Sequence, residues 1–212
     1  ARIMVLNSPA NPTGGVESKA SIQALVEYAD DTGVTTVSDE VYEHFIYGKQ
    51  HWSAARFGEN VVTINATSKT YAMTGWRLGY LAAPEEIVAQ CVKVHQYCQA
   101  CATSISQYAA VAAYEGDQSA VTMMRNEYQA RRDLICKGLG ELGFIFPVPE
   151  GAFYTFVPMK TALTEKIIKN GIIIVPGNAF GKNAVEYARF SYATSRENLN
   201  KALDRIQKIM RN

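Results

Sequence analysis

The sequence predicts an α/β fold. A mostly parallel sheet with helices is expected over residues 1–116, followed by a smaller α+β unit over residues 117–212. Three observations carry that expectation. Short β-branched runs alternate with a helical segment in the first part, the pattern of a parallel sheet. After Pro84 the pattern changes to consecutive helical stretches and then to short apolar runs. Asn11, Asp39, Tyr42, Ser68 and Lys69 all follow the ends of apolar runs, where open α/β sheets have their ligand crevice.

The elements follow in order. "RIMVLN", from Arg2 to Asn7, is a strand, and "SPANPTGG" is a cluster of turn formers. Ser18 is placed to cap a helix with Ile22, Leu25, Val26 and Ala29 on one face, ending at Gly33. "VTTVS" leads into Asp39 as a second strand, "NVVTIN" is a third ending just before Ser68, and "RLGYLAAP" is a fourth that Pro84 stops. Helices are expected over 85–97, 103–115 and 118–142, the last weakened near its end by Gly138 and Gly140. Short strands are expected at "FIFPV", "AFYTFV", "IIIVP" and "EYARFSYA", then a helix capped by Ser195 and running through Met210. The division is placed in "YEGDQ", near residue 116. The first strand has no lead-in and would be an uncovered edge. The chain is therefore expected to be the carboxyl-terminal part of a longer one.

Composition narrows the functional classes. Hydrophobic residues at 48% and charged residues at 19% fit an ordinary globular core. A net charge of +1 gives no polybasic surface for nucleic acid or membrane. No apolar stretch approaches the ~20 residues of a membrane helix. The opening residues also reach Asn, Pro and Gly too soon for a signal peptide. Cys91, Cys98, Cys101 and Cys136 include one CxxC, with His95 beside it, which is too little for a zinc site. Free thiols in a reducing compartment, the cytoplasm, are expected. His44, His51 and His95 lack partners at ligand spacing and receive no role.

The segment "NATSKTYAMTGWRLGY" holds the chemistry. A lysine whose amine loses its proton readily is a nucleophile that forms Schiff bases with aldehydes. Ser68 and Arg77 offer a hydroxyl and a planar guanidinium fork suited to a phosphate. Asp39, at another strand end, calls for a cationic partner, and a protonated pyridine nitrogen is one. Asn11 and Tyr42 can donate to a phenolic oxygen. Together they describe a pocket for pyridoxal phosphate. Each residue also has a plainer use taken alone. Lys69 would be a solvated loop residue, Asp39 a helix cap, Tyr42 core, Arg77 a surface ion pair and Arg189 an exposed strand residue. Trp76 and the aromatics of "GAFYTF" read as packing, with Phe153 and Tyr154 near a substrate mouth as the alternative.

"NSPANPTGG", "SDEVYEHFIY", "SKTYAMTGWRLGY", "GAFYTF" and "RFSYATS" together resemble the class I/II, fold type I, pyridoxal-phosphate aminotransferases, and within them the aspartate aminotransferase-like group. The resemblance spans essentially the whole chain. It implies that residues 1–116 are the carboxyl-terminal portion of the family's cofactor-binding large domain and 117–212 its small domain. It implies that Lys69 holds the cofactor covalently and moves a proton between the substrate Cα and the cofactor C4′. Asp39 would keep the pyridine nitrogen protonated, Asn11 and Tyr42 would bond the ring oxygen, and Ser68 and Arg77 would bind the phosphate. Arg189 would take the substrate α-carboxylate, with Asn11 beside it. The implied reaction moves an amino group between an amino acid, aspartate as first guess, and a 2-oxo acid such as 2-oxoglutarate. The implied assembly is a homodimer.

The sequence departs from the family pattern in places. Ala66 and Thr67 precede the Ser-Lys pair where a glycine with an aromatic or aliphatic residue is usual. The stretch from Met159 to Ile172 is short. The family's phosphate-binding glycine/serine loop and its ring-stacking aromatic fall outside this sequence, so the isolated chain is expected to be inactive. A carbon–sulfur β-lyase shares these motifs, and a non-catalytic assembly domain is the alternative from another class.

Overall fold

The computed structural model describes residues 1–211. The chain divides into two compact units: Ala1–Pro9 with Val16–Thr122, and Ala10–Gly15 with the chain from Met123 onward.

In the first unit, strands β1 (Ile3–Asn7), β2 (Thr35–Asp39), β3 (Val61–Ala66) and β4 (Gly79–Ala82) form one sheet in that order. β1, β2 and β3 are parallel, with Asn7 opposite Asp39, and β4 runs antiparallel to β3. Helix α1 (Lys19–Asp31) crosses from β1 to β2. Ser18 caps it, its hydroxyl accepting the Ser21 N–H at 3.1 Å. Ile22, Val26 and Ala29 are buried. Leu25, expected on that face, lies at its exposed rim. Ile22 and Val26 join Ala54 and Val61 in a core edged by Leu6, Trp52 and Phe57. Burying each of Ile22, Val26 and Val61 contributes about 1.5–3 kcal/mol. The single turn α2 (Thr67–Thr70) follows β3, and α3 (Glu85–Cys98) and α4 (Ser104–Glu115) follow β4.

Helix α5 (Ser119–Glu141) continues into the second unit, where β5 (Tyr154–Pro158), β6 (Val175–Pro176) and β7 (Tyr187–Ser191) form an antiparallel sheet of order β5-β7-β6. α6 (Thr161–Lys169) and α7 (Arg196–Arg211) complete it. Ser195 caps α7, accepting the Asn198 N–H at 3.2 Å, and α7 buries Leu199, Ile206 and Ile209. Gly138 does not end α5 early. A Cβ there would collide with Leu203 of α7, so the glycine lets the two helices approach.

Two expectations are corrected here. "FIFPV" is irregular, because Phe144–Val148 finds no strand to pair with and Ile145 faces solvent. "IIIVP" contributes only Val175–Pro176 as strand.

Candidate functional site

The parallel strands bring three polar segments to one edge of the first sheet. β1 ends at Asn7, β2 at Asp39, and β3 runs into α2. The Asp39 carboxylate accepts from Asn7 Nδ2 at 2.9 Å and from the Val41 N–H at 3.3 Å. Both donors are neutral, and no cation pairs with Asp39 among the described residues. A half-buried carboxylate held this way retains an unmet demand for positive charge.

Tyr42 lies in the turn after Asp39 and is buried. The Lys69 ammonium sits 5.9 Å from the centre of its ring, within the range of a cation–π contact. Lys69 and Ser68 are half-buried members of α2. The Ser68 side chain lines an open concavity of about 1010 Å³ together with Arg77 and the apolar residues Ile64, Leu81 and Val88. Arg77 is exposed, adopts a left-handed backbone (φ 53°), and donates Nη1 to the Thr74 carbonyl at 2.9 Å. Trp76, expected to pack, is exposed beside it.

Asn11 and Arg189 belong to the second unit, and the structure joins them directly. Arg189 Nη1 donates to Asn11 Oδ1 at 2.8 Å. Gly14 explains how the turn holds there. Its φ is +69°, a Cβ would collide with Pro149, and its carbonyl accepts the N–H groups of Glu150 and Gly151 at 2.8 and 2.9 Å. The Arg189 guanidinium lies 4.4 Å from the Tyr154 ring centre and 5.1 Å from that of Phe180. Its Nε is buried without a partner, and no carboxylate faces it among the described residues. A guanidinium flanked by aromatic faces and lacking a counter-charge suits a carboxylate ligand.

Sequence reasoning passed over four side chains, two that touch these residues and two that meet each other beside Asp39. Asn7 reaches Asp39, and Phe180 covers Arg189. Glu40, next to Asp39, is buried and lies 2.9 Å from His51 Nε2. The signal for Glu40 was its place inside "SDEVY". His51 gave none, because its partner is remote in sequence.

A sequence profile of the family described as aminotransferase class I and II matches residues 1–206. The chain belongs to that family. Among its relatives, a probable aspartate aminotransferase of Methanocaldococcus jannaschii is 45% identical, the match covering 98% of this chain and 58% of the relative. An aromatic-amino-acid aminotransferase of Thermococcus litoralis is 42% identical over 99% of this chain and 57% of its own length. The crystal structure of an aromatic aminotransferase from Pyrococcus horikoshii superposes with a TM-score of 0.93 at 39% identity, over 99% of this chain and 60% of that one. The chain thus spans well under two thirds of the length of these aminotransferases. Its fold is that of the fold type I enzymes, a mixed α/β sheet with a smaller antiparallel sheet.

Class I and II aminotransferases depend on pyridoxal phosphate. The donor set fits that group: a carboxylate at Asp39 that no cation pairs with among the described residues, a lysine amine one strand away at Lys69, and a hydroxyl and a guanidinium at Ser68 and Arg77. All four cysteines are free. Among the described residues no helix is long and apolar enough to cross a membrane.

Proposed function

We propose that this chain carries the lysine-bearing part of a pyridoxal-phosphate aminotransferase that moves an amino group from an amino acid to a 2-oxo acid. The observation that carries the reading is Asp39, held by two neutral donors and, among the described residues, by no cation, on the strand next to the one that leads into Lys69. Residues 1–116 are read as the carboxyl-terminal portion of the cofactor-binding domain and 117–212 as the small domain.

Bound pyridoxal phosphate supplies an electron sink for the charge left at the substrate Cα once its proton is removed. Lys69 Nζ would hold the cofactor, and its amine is the group that would take the proton from the substrate Cα and return it. Asp39 keeps the ring nitrogen protonated through its carboxylate. Tyr42 and Asn11 donate hydrogen bonds to the ring oxygen. Ser68 donates its hydroxyl, and Arg77 its guanidinium, to the phosphate. Arg189 pairs with the substrate α-carboxylate and fixes the Cα–H bond for removal, with Asn11 Oδ1 and the two rings holding its guanidinium in place.

The relatives' names support aspartate as the first substrate, with aromatic amino acids second, and a 2-oxo acid such as 2-oxoglutarate is read as the acceptor. The working assembly is a homodimer in the cytoplasm. The isolated 212-residue chain has negligible turnover. The deciding test treats the chain with pyridoxal phosphate and borohydride, then maps the modified lysine by peptide mass. A dominant adduct at Lys69, lost in Asp39→Ala, is expected. Labelling scattered over surface lysines would refute cofactor binding by this chain. Release of pyruvate and ammonia from cystathionine by the full-length product would replace the transaminase reading with a β-lyase.

A further inference from the structure

We propose that Glu40 and His51 form a positioning clamp for the turn that carries Asp39 and Tyr42. The inference rests on the roles proposed above for those two residues. Glu40 is 2% exposed, and glutamate is almost never so buried unless it is paired. Its Oε1 accepts from Ser38 Oγ at 2.8 Å, Ser53 Oγ at 3.0 Å and the Ala54 N–H at 3.1 Å. Its Oε2 lies 2.9 Å from His51 Nε2. Burial pushes the carboxyl pKa up, but the hydrogen bonds from His51, Ser38 and Ala54 outweigh it, and the net direction is down. The group is therefore an ionised buried carboxylate.

The donors come from two places, the end of β2 and the loop at residues 51–54. The carboxylate thus fastens that loop to the strand end. The backbone of the same residue starts the turn: its N–H donates to the Ile64 carbonyl at 3.0 Å, and its carbonyl accepts the Glu43 N–H at 2.9 Å. Asp39 precedes it directly and Tyr42 follows by two, so any displacement of Glu40 is passed to both. Alternation along β2 places Ser38 on the face opposite Asp39, and the Glu40 carboxylate, one residue past the strand, reaches back to Ser38 Oγ. The clamp grips from behind and leaves the Asp39 carboxylate clear.

Stability alone does not explain this choice, since apolar residues of similar volume often serve a buried position at least as well as a buried charged group. Nor does the cluster need an ion. A ligand atom each from Glu40, Glu43 and His51 lies within 4.8 Å of the others, but both Glu40 oxygens are engaged and Glu43 Oε1 accepts from Asn65 Nδ2 at 2.6 Å. His51 Nδ1 is buried without a partner, which leaves Nε2 as the atom through which the ring acts.

The test compares wild type, His51→Leu and His51→Gln in the full-length gene product. Amide hydrogen exchange over residues 40–45 is measured without cofactor. Cofactor affinity and the ratio of its visible absorption bands at one fixed pH are measured after loading with pyridoxal phosphate. His51→Leu should speed exchange at Glu43 and Phe45 by about tenfold, the worth of one hydrogen bond to a charged group. It should also weaken cofactor binding and change the band ratio. His51→Gln, whose side-chain amide can still donate to Glu40, should restore all three. A His51→Leu protein that only melts earlier, with wild-type exchange, affinity and absorption, would overturn the proposal. Should that variant fail to fold, Glu40→Gln keeps an acceptor for the Ser38, Ser53 and Ala54 donors and takes the same measurements. If wild type takes up no cofactor, the functional reading falls and the exchange data alone decide the clamp.

Discussion

The two sheets of this molecule treat their apolar residues differently. In the second unit the central strand β7 buries Ala188 and Phe190, and β5 buries Tyr154, Thr155 and Val157. In the first, all four residues of β4 are exposed, Ile3 and Val5 of β1 are 60% and 69% exposed, and none of the α3 residues is buried. Both sheets have the sequence pattern of strands. In the first sheet the buried apolar strand residues are Val61 and Val62 of β3, whereas β5 and β7 both find the burial that the pattern encodes. Apolar periodicity therefore reports which faces suit a core more reliably than it reports which are covered here.

Five measurements test that contrast. The largest effect is expected where the first unit relies on polar rather than apolar anchoring. Glu40→Ala strands four hydrogen-bond donors, two of them on buried Ser38 and Ala54, and should cost about 3–5 kcal/mol by denaturant titration. The second unit relies on packing. Leu139→Ala, at a fully buried position, should cost about 2–5 kcal/mol. By contrast Val5→Ala on β1 should stay within about 0.5 kcal/mol, because that side chain already meets water. An equal cost at Val5 and Leu139 would erase the difference between the sheets.

The pH dependence gives a smaller effect with a definite sign. The Glu40 pKa is lowered in the folded protein from an ordinary value of 4.5. Its ionised form therefore stabilises the fold above that value, and the contribution fades as pH falls through the lowered folded pKa. Melting of wild type from pH 6 down to pH 3 should show the loss, and Glu40→Gln should flatten it. Thiol labelling gives the smallest perturbation. Burial raises the Cys136 pKa to about 11, while Cys98 and Cys101 are exposed. Cys98 and Cys101 should react with a maleimide first, and Cys136 more slowly.

Much of this was legible in the sequence because it is local. Ser18 and Ser195 announced their helices by capping, and the strand-end residues Asp39, Ser68 and Lys69 were marked by the apolar runs before them. What escaped depends on contacts between distant residues. "FIFPV" has strand composition but no strand beside it, so composition misled. Gly138 looked like a helix breaker until Leu203, 65 positions along, was seen against it. Glu40 and His51 meet only because the loop folds back, and no short-range ligand spacing exists to reveal them. The link from Arg189 to Asn11 spans 178 positions. Chemistry pointed to both residues, but only folding shows that one holds the other.

The six residues Ala10–Gly15 have an evolutionary consequence. They belong with the unit formed from Met123 onward, although the chain on either side of them belongs to the other. The smaller unit is therefore not a cassette that recombination could lift out with one cut and paste elsewhere. A piece beginning at Met123 would lose the Gly14 carbonyl that takes the amides of Glu150 and Gly151, and the Asn11 oxygen that takes Arg189. Inheritance must keep both stretches together, and substitutions at Asn11 or Gly14 should drift in concert with those at residues 149–154 and 189 rather than with their own chain neighbours.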